Sequence, residues 1–240
     1  MAIFNSGFEA EDNDFDIEWS GKEGSPTVVA AAPAPHHGAK AMNADGAGDA
    51  AYKTFVNQTT VYIRLYWLFN GVPAEFSDFG DCLSLRNGAT EIVRVRNRRG
   101  AGDEYQLTIR SEFPNQQSDS YEWDPIPDTY YCIEVKFVRH AVTGEYRLYL
   151  DGVERITRTG VDTTGVAGVD RIYVGAADWC STYTGIDCVV VDSAYIGPEA
   201  AGGPTVKKGS NLSNTMTTML NSKMLFSACN RFPKLSPRRF

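Results

Sequence analysis

The sequence predicts an all-β fold: an antiparallel jelly-roll β-sandwich with a C-terminal extension containing a short helix. Three observations predict it. Apolar residues recur with period two in many short runs, as strands with one buried face require. Each run is ended by Gly, Pro, Asn or Asp, and no stretch of ten residues before position 200 shows a helical period. Finally, all 30 acidic residues and 16 of the 23 basic ones fall in residues 1–199, a net −14, whereas the last 41 residues carry the other seven basic ones and no acid. The join, Gly197-Pro198-Glu199-Ala200-Ala201-Gly202-Gly203-Pro204, has the Gly and Pro density of a linker. The expected organisation is a sandwich over 1–197, a linker over 198–209 and a basic amphipathic docking tail over 210–240.

Near the N-terminus, Asp14-Phe15-Asp16-Ile17-Glu18 alternates, with three carboxylates on one face of the expected strand and Phe15, Ile17 and Trp19 on the other. His36-His37 follows in an Ala/Pro loop and reads as a solvated turn; no Cys or His spacing suggests zinc. The clearest strand is 61–69, where Val61, Ile63, Leu65, Trp67 and Phe69 share one face and Tyr62, Arg64, Tyr66 and Leu68 the other. Similar runs are 92–96, 105–110, 131–137 and 171–175. Residues 144–155 hold a strand ending at Asp151-Gly152, a pair that tolerates the positive φ of a tight hairpin.

No apolar run approaches the roughly 18 residues of a membrane span. The opening Met1-Ala2-Ile3-Phe4-Asn5 has neither the basic nor the apolar region of a signal peptide, so synthesis in a cytosol is expected. A reducing compartment and five cysteines favour buried free thiols; the pair to watch is Cys180 and Cys188 across a short turn.

The 144–155 block, preceded by Tyr130-Tyr131-Cys132-Ile133-Glu134-Val135-Lys136-Phe137, resembles the concanavalin A-like, laminin G-like jelly-roll modules. In those a strand of this kind leads to a Tyr-x-Leu-Tyr-(Val/Leu)-Asp-Gly hairpin. The opening Asn5-Ser6-Gly7-Phe8-Glu9, with Trp19 downstream, and the closing Gly185-Ile186-Asp187-Cys188-Val189-Val190-Val191 resemble first and last strands of carbohydrate-binding jelly rolls. The resemblance covers residues 3–197 and speaks for fold, because this fold hosts lectins, glycosidases, lyases and inert modules alike.

What the resemblance implies about sites is more specific. In related carbohydrate-binding jelly rolls a structural calcium staples the first strand to the last, which carries over to Glu9 and Asp187 with a carbonyl from Gly7, hard oxygen ligands that suit calcium. The Asp14, Asp16 and Glu18 run is similar to the catalytic strand of laminarinase-type glycosidases, with Asp14 as nucleophile and Glu18 as acid/base. Arg94, Arg96, Arg98 and Arg99, with Tyr62, Arg64, Tyr66 and Arg110 on strands expected to neighbour them, suggest a face that neutralises uronates and stacks on sugars. The Gln-(Ile/Val)-His and Tyr-x-Lys-x-Gly-x-Tyr motifs of alginate lyases are absent, which favours a non-catalytic contact surface. Trp123 and Trp179, in polar segments with Tyr121 and Tyr183, are the candidate sugar platforms.

In the tail, Met216, Met219, Leu220 and Met224 fall at near-helical spacing, followed by Phe232, Arg238, Arg239 and Phe240 in a segment that two prolines keep extended. Cations alternating with apolar residues suit docking on a protein partner or another copy of the chain; a body at −14 disfavours nucleic acid. The function this adds up to is a non-catalytic, lectin-like module on a large assembly such as a bacteriophage virion, as capsid decoration or fibre-associated protein. The alternatives are a laminarinase-type hydrolase and a free lectin.

Overall fold

The computed structural model describes residues 2–30, 35–69, 79–113, 116–175 and 184–199. The linker beyond Glu199, the tail with Met216, Met219, Leu220, Met224, Phe232, Arg238, Arg239 and Phe240, and Trp179, Cys180 and Tyr183 lie outside the described residues. No helix occurs among the described ones. Their strands are β1 (Phe4–Ser6), β2 (Gly21–Glu23), β3 (Thr27–Val29), β4 (Ala41–Ala44), β5 (Ala50–Gln58), β6 (Thr60–Phe69), β7 (Phe79–Asn87) and β8 (Thr90–Arg99). They continue with β9 (Tyr105–Ser111), β10 (Gln117–Trp123), β11 (Tyr131–Val138), β12 (Gly144–Leu150), β13 (Val153–Val161), β14 (Val169–Gly175) and β15 (Thr184–Asp192).

These make an antiparallel sandwich. One sheet of eight strands runs β13-β12-β11-β6-β15-β4-β3 with β1 paired to β15; the other, of seven, runs β10-β9-β8-β7-β14-β5-β2. The period-two runs place the core between them: Val61, Ile63, Leu65 and Trp67 of β6 face Val93 and Val95 of β8 and Leu107 and Ile109 of β9 in one buried cluster. The β12–β13 turn has the backbone its sequence asks for, with Asp151 at φ 51° and Gly152 at φ 77°. The first and last strands meet, Phe4 opposite Val191 and Ser6 opposite Val189.

Residues 11–20 depart from expectation. They form no strand, so Asp14, Asp16 and Glu18 do not line one face. Instead the buried Glu11 carboxylate accepts backbone N–H groups from Ile17, Glu18 and Trp19, folding the segment into a loop around itself. Phe15 and Trp19 turn inward with Phe8, whose ring stacks on Trp19 at 5.2 Å, while Ile17 faces solvent. Glu18 takes the Ser6 hydroxyl at 2.5 Å and Asp14 lies 3.8 Å from Lys22. A pair of carboxylates flanking one glycosidic bond is therefore not assembled here. Periodicity missed this because Glu11, six to eight residues from its partners, supplies the hydrogen bonds that a neighbouring strand would have given.

Candidate functional site

The two sheets present different outer faces. On the seven-stranded sheet, strand register sets side chains in cross-strand rows: Asp81, Arg96, Thr108 and Ser120 in one, Ser84, Arg94, Arg110 and Ser118 in the next. Arg98 stands opposite Gln106. Between them a groove of about 280 Å³ is lined by Arg96, Arg98, Thr108, Arg110, Gln116 and Ser118. Like charges opposite one another would repel, and the arginines are held by acids around the rim. Arg94 contacts Glu91 at 2.6 Å and Asp81 at 3.3 Å, Arg96 contacts the buried Asp81 at 3.1 Å, and Arg110 contacts Glu112 at 3.0 Å. Arg98 donates to Gln106 Oε1 at 2.9 Å. Burial pulls the Arg96 guanidinium below its usual range, with Asp81 acting against that shift. The result is a fixed, partly desolvated set of planar donors, the arrangement that recognises carboxylate or sulfate groups.

Tyr62, Arg64 and Tyr66 do not share this face. They project from β6, on the other sheet, so the single basic and aromatic surface expected from the sequence is split in two. Arg64 and Tyr66 are each only 6% exposed because residues 193–199 return across them. Glu134 of β11 accepts the Ile196 and Gly197 N–H groups at 2.9 and 2.8 Å. Arg64 donates to the Gly197 carbonyl at 3.2 Å and to Glu199 Oε1 at 2.8 Å, and the Glu199 N–H donates to the Tyr66 hydroxyl at 2.8 Å. These side chains form a strap rather than a ligand surface. Burial pushes the Tyr66 phenol up to about 12 and raises the Glu134 carboxyl.

Beside the strap lies a group that sequence reading passed over. His36, expected in a solvated turn, stacks on Tyr66 with ring centroids 3.7 Å apart and planes 19° apart. Its pKa is lowered to about 4 by burial and then by His37. His37 Nε2 lies 2.9 Å from Glu199 Oε2. The only signal was the His-His pair itself; its partner is 162 positions away, beyond any local pattern.

The same loop meets the implied calcium ligands. Asp187, fully buried, accepts the His37 N–H at 2.9 Å through Oδ2 and the Cys188 N–H at 2.7 Å through Oδ1. Glu9 Oε1 accepts the Ala39 and Lys40 N–H groups at 2.8 and 3.0 Å. A methyl group on Gly7 would sit 3.8 Å from Asp187 Oδ1 and 4.0 Å from Glu9 Cγ, so the three residues converge. Burial pushes the Asp187 carboxyl up to about 6, and among the described residues no cation pairs with it. A buried carboxylate without a cation and a second carboxylate close by are hard oxygen donors of the kind a divalent ion such as calcium takes.

Trp123 is not an exposed platform. It ends β10, packs edge-on against Tyr131 at 5.0 Å and donates its indole N–H to Asn97 at 3.2 Å. Cys188 is a free buried thiol, as are Cys82 and Cys132, so it is not bridged across the expected turn. Burial holds Cys132 up at about 12 and Cys188 also well above an ordinary thiol.

No protein-family model matches the chain, and no curated protein matches it significantly in sequence. Solved structures do match in fold. The chain is similar to an endo-β-1,4-glucuronan lyase from the fungus Trichoderma reesei, with a TM-score of 0.58 and 12% identity over 81% of this chain and 96% of that one. It is similar to the cellulose-induced protein Cip1, with a TM-score of 0.58 and 14% identity over 82% and 100%. It also matches the receptor-binding domain of botulinum neurotoxin type G, with a TM-score of 0.53 and 10% identity over 82% of this chain and 48% of that one. At such identities the likeness is one of fold, and the fold is the jelly-roll β-sandwich.

Proposed function

We propose that the protein is a non-catalytic, lectin-like jelly roll that reads an anionic glycan with the open face of its seven-stranded sheet. The observation that carries this reading is the groove between Arg96, Arg98 and Arg110, whose remaining lining, Thr108, Gln116 and Ser118, is neutral and hydrogen-bonding. Guanidinium groups in a fork geometry take carboxylates bidentately, and hydroxyl and amide groups between them suit sugar hydroxyls. None of the six lining groups is a base at neutral pH, which argues for binding over β-elimination. A fold neighbour named as a lyase of a glucuronan, an acidic polysaccharide, is consistent with an anionic ligand.

The experiment is calorimetric titration of the full chain with oligoglucuronate, a sulfated oligosaccharide and a neutral β-glucan. The acidic ligands should bind, weakening with salt, and Arg98→Gln and Arg110→Gln should each cost about 10-fold or more. These two variants leave the Arg96–Asp81 pair intact, so loss of binding is not loss of a buried ion pair. Equal binding of the neutral glucan, or unchanged affinity in both variants, would sink the proposal. Release of unsaturated ends from oligoglucuronate would make the protein a lyase instead.

The display part of the reading rests on charge: an acidic portion up to residue 199 followed by residues with seven cations and no acid. Such a chain docks on an acidic protein surface, on a phage virion or on further copies of itself. Light scattering of the full chain and of a chain ending at Glu199, at low and moderate salt, tests self-docking. Larger assemblies that need the tail and dissolve with salt are expected; identical masses would leave only a foreign partner, to be sought on isolated virions.

A further inference from the structure

We infer that His36, His37 and Glu199 form a binding site for a borderline-soft divalent cation of the zinc type, separate from the oxygen-rich cluster at Glu9 and Asp187. One donor atom from each of the three lies within 4.8 Å of the other two, and among the described residues this is the group of His, Cys and acidic side chains that meets that condition. Two imidazole nitrogens with one carboxylate favour zinc, cobalt, nickel or copper and disfavour calcium and magnesium, which take oxygen donors.

The surroundings hold each donor in place. Stacking on Tyr66, with Tyr130 at 5.3 Å on another side, fixes the plane of His36. The His37 ring sits 4.4 Å from that of His36, and its backbone N–H is tied to Asp187. Glu199 is gripped at Oε1 by Arg64 and at its backbone N–H by Tyr66, which leaves Oε2 turned toward His37. Outer partners of this kind orient ligands and are worth a tenfold or larger factor in metal affinity. A metal at His37 Nε2 takes the place of the proton there, which moves to Nδ1 or to solvent. Three protein donors leave a fourth tetrahedral position for water or an external ligand. The ion would join the 36–40 loop to the end of the strap, two segments far apart in sequence that meet on β6.

The test is metal binding by the full chain after EDTA treatment, with zinc titrated against a chromophoric chelator and cobalt followed by its visible absorption. One equivalent is expected, unaffected by millimolar calcium and retained in Glu9→Gln. His36→Phe keeps the stacking on Tyr66 while removing the nitrogen, and Glu199→Gln keeps the shape of the strap. Both should weaken zinc about 10-fold or more and alter the cobalt spectrum. Wild-type binding in either variant, or no saturable zinc binding by the unaltered chain, would overturn the assignment.

Discussion

Glu11 shows how much one side chain decides here. It is 1% exposed, and its carboxylate takes N–H groups from Ile17, Glu18 and Trp19. Those donors would otherwise be stranded beside an aromatic cluster in which Phe4 meets Trp19 edge-on at 5.0 Å. Phe8 and Phe15 are held at φ 60° and 56°, strained for non-glycine residues and tolerable because their rings are buried. Glu11→Ala should lower unfolding stability by about 3 kcal/mol in urea denaturation, the worth of charge-assisted bonds whose donors stay behind unpaired. A loss within 0.5 kcal/mol would show that the loop does not depend on it. Glu11 was illegible in the sequence for the same reason that His36, His37 and Glu199 were: their partners are fixed by tertiary closure, which no periodicity reports. Arg64 and Tyr66 were placed on the right face of the right strand, but nothing in 61–69 says that residues 193–199 will cover that face.

At the level of strands the sequence was far more legible, because alternation and turn chemistry are local properties. The run 61–69 and the Asp151-Gly152 hairpin appear where the pattern put them. What alternation cannot say is which strands share a sheet, and that is why β6 and β8, read together from their Arg and Tyr content, are on opposite sides of the core. The two sheets are joined along one edge by Asp119 of β10, which accepts the Tyr146 hydroxyl of β12 and the Arg158 Nε–H of β13, each at 2.8 Å. The Arg158 bonds, assisted by the Tyr146 hydroxyl, hold the Asp119 carboxyl below its ordinary value of 3.8. A depressed native pKa means stability that is present above the unfolded value and lost as pH falls through the native one. Asp119→Asn should therefore cost about 1 kcal/mol at neutral pH, since the pair is partly exposed. That difference should shrink toward zero as acid protonates the wild-type carboxyl. A cost that stays constant down to pH 2 would place the effect in packing rather than charge.

For the whole molecule the question is how a sandwich whose first and last strands are neighbours keeps both ends in place. β1 is three residues long and its ladder with β15 is short, so the neighbouring Glu9 and Asp187 are where a bound cation would add most to the closure. Without a cation the buried Asp187 works against folding. Its native pKa of about 6 lies above the ordinary 3.8, so the native state binds the extra proton, and stability falls as pH rises from about 4 to about 6. Above that window the penalty is complete, at most about 3 kcal/mol for a shift of this size. A calcium ion bound to the ionised carboxylate would offset it, so the structural calcium proposed for Glu9 and Asp187 should stabilise strongly at pH 7 and little at pH 4.5. At calcium a hundredfold above its Kd, the melting temperature at pH 7 should rise by about 5–10 °C. Asp187→Asn should remove both the calcium response and the decline between pH 4 and 6, while Glu9→Gln should remove the calcium response and leave the decline. Calcium that stabilises Asp187→Asn as much as the wild type would mean that the ends are held by packing alone and that the ion acts elsewhere on the acidic surface.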